Sequence, residues 1–331
     1  MKRILTIGEI VVEIMAVERG NGFRAPTALV GPFPSGAPAI FIDQAAKLGQ
    51  PAAIVSCVGD DDFGALNIAR LRADGVDTSG IESSPDAATG SAFVRYRQDG
   101  QRDFVFNLRR SAAAAIRPTP AASALIAAAD HLHVMGSAFF SPGIVGLVHD
   151  AIEAIKGRGG TVSFDPNIRK EIAGSPDMRA ALDHALNNAD LFMPSGPELF
   201  LFAAADSEQG AVDELLARGV PAIVVKDGRN GARYYDPAGR IDCSAFPVEE
   251  IDPTGAGDVF GATFVTLWLR GVQPAVALEW ANASGALAVS VKGPMEGTSS
   301  FAQIEAFAKR ASPQRAIPAI GRPPQPAQEP S

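Results

Sequence analysis

The sequence predicts an α/β fold: a mainly parallel central sheet flanked by helices, with a small β-sheet appendage. Three observations carry that prediction. Short β-branched runs alternate with Ala- and Leu-rich stretches of helical periodicity, which implies repeated βα units. The apolar runs read as strands buried on both faces, as a parallel sheet requires. Two stretches, residues 13–35 and 90–110, break the rhythm.

Taken in order, "RILTIGEIVV" is the first strand. Gly8, Glu9 and Glu13 interrupt its apolar run, so it does not read as a signal peptide. Residues 13–35 hold turn signals and no helical pattern. "APAIFIDQAAKLG" and "FGALNIARLRADG" are helical and end at glycine, with the strand "AAIVSCVG" between them. Residues 90–110, "GSAFVRYRQDGQRDFVFNLRR", form a hairpin with Asp99-Gly100 at its turn. Strands "HLHVMG" and "TVSFDP" then alternate with helices "PGIVGLVHDAIEAIKGRG" and "MRAALDHALNNA", followed by strands "ADLFMPS" and "PAIVVKDG". The body is therefore 1–12, 36–89 and 111–310. Residues 13–35 and 90–110 form a β-sheet lid over a ligand cleft. The Pro-, Gln- and Ala-rich end, 311–331, is expected to lack stable structure.

At 331 residues the chain can bury one large domain plus an appendage. Its net charge of −8 repels polyanions, so neither nucleic acid nor an anionic membrane is an expected partner. No segment approaches the roughly 18 uninterrupted apolar residues of a membrane span. Cys57 and Cys243 form no CxxC pair and fit a reducing, cytoplasmic setting.

The chemistry concentrates at residues 251–260, "IDPTGAGDVF", which lead into a buried helix running through Leu269. Gly255-Ala256-Gly257 can leave backbone N–H groups facing one way at the helix start, an anion hole reinforced by the helix dipole. Asp258 in the first turn has two readings. It caps the helix, or it accepts a hydroxyl proton while the amides stabilise a transferring phosphoryl group. Neither G-x-x-x-x-G-K-[ST] nor a G-x-G-x-x-G joined to the first strand is present, which disfavours P-loop and dehydrogenase chemistry.

"DPTGAGDVFGA" resembles the D-T-x-G-A-G-D signature of the ribokinase-like (PfkB) carbohydrate kinases, and further segments agree in order. "SGAPAIFIDQAAKLG" resembles that family's G-G-A-P-A-N-x-A-x-x-x-A-x-L-G and "VGDDDFG" its V-G-x-D-x-F-G. "FDPNIR", "PSGPE" and "VVKDGRNGA" resemble D-P-N-x-R, P-N-x-x-E and V-K-x-G-x-x-G-A. The resemblance spans about residues 1–310 and implies a ribokinase-like three-layer fold with a lid. It also implies a kinase using ATP with Mg²⁺. Asp258 is then the general base, with Gly255, Ala256 and Gly257 cradling the phosphate. Thr254, Lys226, Gly228, Gly231 and Asn282 are implied for the nucleotide, Glu198 for the metal through water, and the Asp252 backbone for a monovalent cation such as K⁺. Each has a plainer alternative: Asp252 a turn residue, "KDG" a turn, Asn282 a surface asparagine, Glu198 a helix N-terminal acid.

Substrate binding is implied for Glu13, Gly36, Ala37, Asn167 and Arg169, Arg169 alternatively pairing with Asp165. Here the chain departs from the family pattern. The usual acid is Glu13 rather than Asp, the G-G pair is Ser35-Gly36, and the usual Asn of P-A-N is Ile40. "FNLRRSAAAAI" resembles the lid exit of 2-keto-3-deoxygluconate kinases, but Leu108 stands in the arginine's register, followed by Arg109 and Arg110. That departure favours a neutral ketohexose, and the opening resembles the tagatose-kinase branch. A 2-keto-3-deoxygluconate kinase, a nucleoside kinase and a non-catalytic sugar binder are the alternatives. His131 and His133 read as packed residues, Asp60–Asp62 as a turn with Asp61 capping the next helix, and the 112–115 alanines as a helix start. An exposed face on the lid allows a homodimer.

Overall fold

The computed structural model describes every residue except 21, 99–101, 169–175, 316 and 321–331, and no side chains at 176–177. The strands, in chain order, are β1 (Ile4–Ile7), β2 (Val11–Ala16), β3 (Leu29–Ser35), β4 (Ala52–Gly59), β5 (Asp77–Ser84), β6 (Gly90–Tyr96), β7 (Arg102–Asn107), β8 (His131–Met135), β9 (Thr161–Asp165), β10 (Leu191–Phe192), β11 (Ile223–Lys226), β12 (Ala232–Asp236) and β13 (Gly239–Cys243). The helices are α1 (Ala37–Lys47), α2 (Asp62–Ala73), α3 (Pro120–Ala128), α4 (Pro142–Lys156), α5 (Pro176–Asn188), α6 (Gly196–Leu199), α7 (Glu208–Ala217), α8 (Ala256–Leu269), α9 (Pro274–Val289) and α10 (Phe301–Ala311).

The main sheet runs β13-β12-β11-β10-β9-β8-β1-β4-β5, parallel from β11 through β5, with β12 and β13 joined antiparallel at one edge. Its buried strands send alternate residues to two cores. In β4, Ala53, Val55 and Cys57 face the layer of α3, α4, α5 and α7, whereas Ala52, Ile54 and Val58 face that of α1, α8, α9 and α10. Three layers result, as expected of strands without a polar face.

A second sheet, β3-β2-β6-β7, stands apart. The opening apolar run thus divides: β1 joins the main sheet and β2 the small one, which begins at Val11 rather than at residue 13. The hairpin forms with Ser91 opposite Asn107, while its expected Asp99-Gly100 turn lies outside the described residues. One expectation needs correction, and of the chain end expected to lack stable structure, 316 and 321–331 lie outside the described residues. Residues 112–115 form a single 3₁₀ turn, and α3 starts only at Pro120, capped by Thr119. The chain end is not free where it is described. Arg315 pairs with Glu279 at 2.7 Å, Trp280 Nε1 donates to the Pro318 carbonyl at 3.0 Å, and Ile317 and Ile320 pack on the helical layer.

Asp61 caps α2, its carboxylate accepting from Gly64 N–H at 2.8 Å. His131 and His133 are fully buried, bonded to Ser163 at 2.8 and 2.7 Å, and Phe41 stacks on His133 with ring centroids 3.5 Å apart. Burial pushes both imidazoles below their ordinary range, so they are packed, neutral residues.

Candidate active site

Helix α8 begins where a glycine is obligatory. Gly255 has φ +80°, and a Cβ there would lie 2.4 Å from the Pro294 carbonyl oxygen. Gly255 brings no side-chain cap, so the first-turn amides of α8 depend on other partners. Asp258 sits in that turn, 5% exposed.

Just upstream, Asp252 is fully buried and holds the loop together. Its carboxylate accepts from Thr254 N–H and Oγ1–H at 3.1 and 2.8 Å and from Gly293 N–H at 3.1 Å. Arg102 reaches in from β7, donating to Thr254 Oγ1 and lying 3.9 Å from Asp252. The small sheet therefore touches the loop that leads into α8 directly.

From β9 comes the opposing wall. The Asp165 carboxylate accepts from Asn167 N–H at 3.2 Å, which sets up a tight turn with Asn167 at φ +39°. That conformation delivers the Asn167 side-chain amide to Asp258, donating to Oδ1 at 2.9 Å. Glu198 locks the same turn: its two carboxylate oxygens accept from Ile168 N–H at 2.7 Å and Ser195 N–H at 2.8 Å. It forms a capping box with Ser195, so its plainer reading as a helix N-terminal acid is met in full.

Lys226 closes the cluster from the end of β11. It pairs with Asp165, and a Cβ on Gly257 would stand 3.9 Å from its Nζ. Burial alone would discharge Lys226; Asp165, Glu198 and Asp258 outweigh it and raise its pKa above the ordinary value. Burial lifts Asp165 to about 6, with Lys226 pulling the other way. The partner of Asp165 is thus Lys226. The alternative pairing with Arg169 is not needed, and Arg169 itself lies outside the described residues.

Glu13, Gly36 and Ala37 meet elsewhere, lining one cavity with Glu9, Val11, Ser35, Phe106 and Leu108. Gly36, with φ +113° and room for no Cβ beside the Glu9 carbonyl, turns the chain into α1. Ser35 Oγ donates to Glu13 at 2.8 Å, and Ser137 Oγ to Glu9 at 2.9 Å. Ile40 is not in the lining; it packs under the anion loop, 3.3 Å from the space above Gly255. Tyr96 lies close enough to both Asp252 and Glu13 that, after burial, their charges raise its pKa.

Gly228 and Gly231 adopt positive φ in the turn after β11, and a Cβ on Gly231 would collide with the Cys243 carbonyl at 2.0 Å. Asn282 is buried rather than at the surface, donating to that carbonyl at 3.1 Å. Sequence reasoning missed Glu9, Tyr96 and Arg102. The only signals were an acid behind Gly8 and two residues facing inward from the hairpin.

A carboxylate at an uncapped helix start, with an ammonium beside it and an acidic cavity under a small sheet, is suited to phosphoryl transfer onto a hydroxyl. Residues 1–300 match the model of the pfkB family of carbohydrate kinases. The chain belongs to that family. It is a phosphotransferase acting on sugars, with the ribokinase-like fold. An E. coli protein provisionally called ribokinase II, solved with ATP and Mg²⁺, is 46% identical, with a TM-score of 0.88 over 94% of this chain and 100% of that one. A double-mutant fructokinase of Vibrio cholerae O395 in a fructose-, ADP- and potassium-bound form is 28% identical, with a TM-score of 0.80 over 93% and 98% of the two chains. The 2-dehydro-3-deoxygluconokinase of Thermoproteus tenax is 31% identical over 319 residues, 93% of this chain and 95% of that one. No helix among the described residues is long and apolar enough to cross a membrane.

Proposed function

We propose that this sugar kinase transfers the γ-phosphate of ATP to a primary hydroxyl of a neutral ketohexose of the tagatose or fructose kind. The convergence of Asp258 with the uncapped start of α8 supports the reading. Asn167 fixes the Asp258 carboxylate, which takes the hydroxyl proton as the sugar oxygen attacks phosphorus. The backbone at Gly255, Ala256 and Gly257 and the α8 dipole stabilise the transferring group, with the Lys226 charge beside them. Thr254, Gly228, Gly231 and Asn282 frame the nucleotide side.

Mg²⁺ accompanying ATP partly neutralises the polyphosphate. Glu198 has both oxygens engaged by backbone N–H groups and Asp165 is ion-paired, so these donors suit the metal through water. Where Asp252 ties its loop to Gly293, main-chain oxygens are the donors that suit K⁺.

The substrate reading rests on the cavity. Two carboxylates, Glu9 and Glu13, line it, and Leu108 fills the place where a sugar acid wants arginine. Arg109 and Arg110 are exposed and outside the lining. A hydroxyl-rich neutral sugar is compatible with this wall; a carboxylate is repelled. The identity to the Thermoproteus enzyme supports a 2-keto-3-deoxygluconate kinase as second reading. Coupled ADP release across ketohexoses, 2-keto-3-deoxygluconate, ribose and nucleosides tests both. Fastest turnover on a ketohexose is expected; preference for the sugar acid overturns the substrate, and absence of turnover on all of them overturns the catalytic reading. The exposed lid leaves a homodimer as part of the proposal, and a cytoplasmic setting accords with the two unpaired cysteines.

A further inference from the structure

On the face of the molecule formed by α4 and α5, three side chains meet that the kinase reaction does not use. His149 and Glu153 lie one turn apart on α4, and His184 comes from α5. One ligand atom from each falls within 4.8 Å of the others, the one such group of three metal-binding side chains among the described residues. The two imidazoles stack with centroids 3.8 Å apart and planes 15° from parallel. His184 Nε2 is buried with no hydrogen-bond partner among the described residues, a costly position for a ring nitrogen unless something else completes it. Burial, with His149 beside it, pushes His184 below its ordinary pKa, which keeps its lone pair available.

We propose that His149, Glu153 and His184 bind one borderline divalent transition ion, Zn²⁺ being the best match. Two imidazoles and a carboxylate are the donor set of three-ligand zinc sites, with water completing the tetrahedron. A hard ion such as Mg²⁺ prefers oxygen ligands, so the site is chemically separate from the metal that travels with ATP. Ligand atoms on one tetrahedral ion lie about 3.3–3.5 Å apart given bonds of about 2.0–2.1 Å. The stacked rings must therefore turn by tens of degrees, until both ring planes pass through the ion, and the exposed His149 is free to make most of that turn. Binding would clip α4 to α5 over the flank of β9, the strand that leads to Asn167.

The test is titration of the untagged, metal-free full chain with Zn²⁺ by calorimetry and with Co²⁺ by visible absorption, without nucleotide. One equivalent should bind, with a tetrahedral cobalt spectrum. His149→Ala, on the exposed side, should weaken binding by at least the roughly 10- to 100-fold lost when merely a ligand's hydrogen-bond partner is removed. Glu153→Gln should weaken it too, and His184→Asn should match His149→Ala while circular dichroism stays native. Absence of one-equivalent binding, or binding unchanged in His149→Ala and Glu153→Gln, overturns the proposal.

Discussion

The side-chain amide of Asn167 holds the carboxylate of Asp258 at 2.9 Å, joining the end of β9 to the first turn of α8. Residues 91 positions apart in the chain thus make one unit, which the proposed reaction uses as a base and the group that aims it. Asp258→Asn should lower kcat by at least about 10²-fold, the scale of a lost general base, while ATP still binds. Asn167→Gly is the matching positioning test, because glycine accepts the φ of +39° and deletes only the amide. It should lower kcat by about tenfold with little change in ATP KM. Steady-state kinetics decide both; near-normal turnover in Asp258→Asn removes its assignment as base.

Much of this site is legible in the sequence, for a physical reason. Glycines that must adopt positive φ or admit a close backbone leave a mark at fixed spacing, and Gly36, Gly231 and Gly255 all do so here. Strands buried on both faces are equally visible as apolar runs. What the sequence hides is long-range pairing. Lys226 meets Asp165 across 61 positions, and neither residue's neighbours announce it. The same holds for Arg102, whose place on the loop before α8 depends on how the small sheet tilts, and for the chain end, where Ile317 and Ile320 find a helical face that composition cannot show.

Two glycines of the proposed anion-hole turn should respond differently to a methyl group. Gly255→Ala forces a left-handed residue against the Pro294 oxygen, costing at least about 1–2 kcal/mol for the backbone alone, so Tm and activity should fall together. At Gly257 the nearest atom is the movable Lys226 Nζ at 3.9 Å. Gly257→Ala should therefore keep its Tm and lose phosphate affinity, seen as a raised ATP KM. A large loss of Tm in Gly257→Ala contradicts this.

The buried Asp165–Lys226 pair carries a pH signature. Burial raises the folded-state pKa of Asp165 to about 6, above the unfolded value. Its contribution to stability is therefore greatest below about pH 4 and is lost as pH rises through about 6. Asp165→Asn cannot titrate and lacks that loss. The Tm advantage of the wild type over Asp165→Asn should accordingly narrow between about pH 4.5 and about pH 7. Thermal denaturation at both values measures it, and a widening gap would mean that Lys226 holds the carboxylate low instead.

Specificity should be reversible at the cavity wall. Glu13 is 2% exposed and accepts from Ser35, so its carboxylate is already oriented toward hydroxyl partners. Glu13→Ala should raise sugar KM by about tenfold or more, the loss of one or two hydrogen bonds to a charged group, and leave ATP KM nearly unchanged. Equal effects on the two substrates would take Glu13 out of sugar binding. The reverse change adds a cation. Leu108 lines the same cavity at 6% exposure, so Leu108→Arg places a guanidinium there, and combining it with Glu13→Gln removes one of the two carboxylates, Glu9 and Glu13, with which the new charge would pair. A bidentate arginine contributes about 1.5–3 kcal/mol to a bound carboxylate. The ratio of kcat/KM for 2-keto-3-deoxygluconate over ketohexose should therefore rise at least about tenfold in the double variant. An unchanged ratio, with the variant folded and ATP KM intact, would show that this cavity does not choose the sugar.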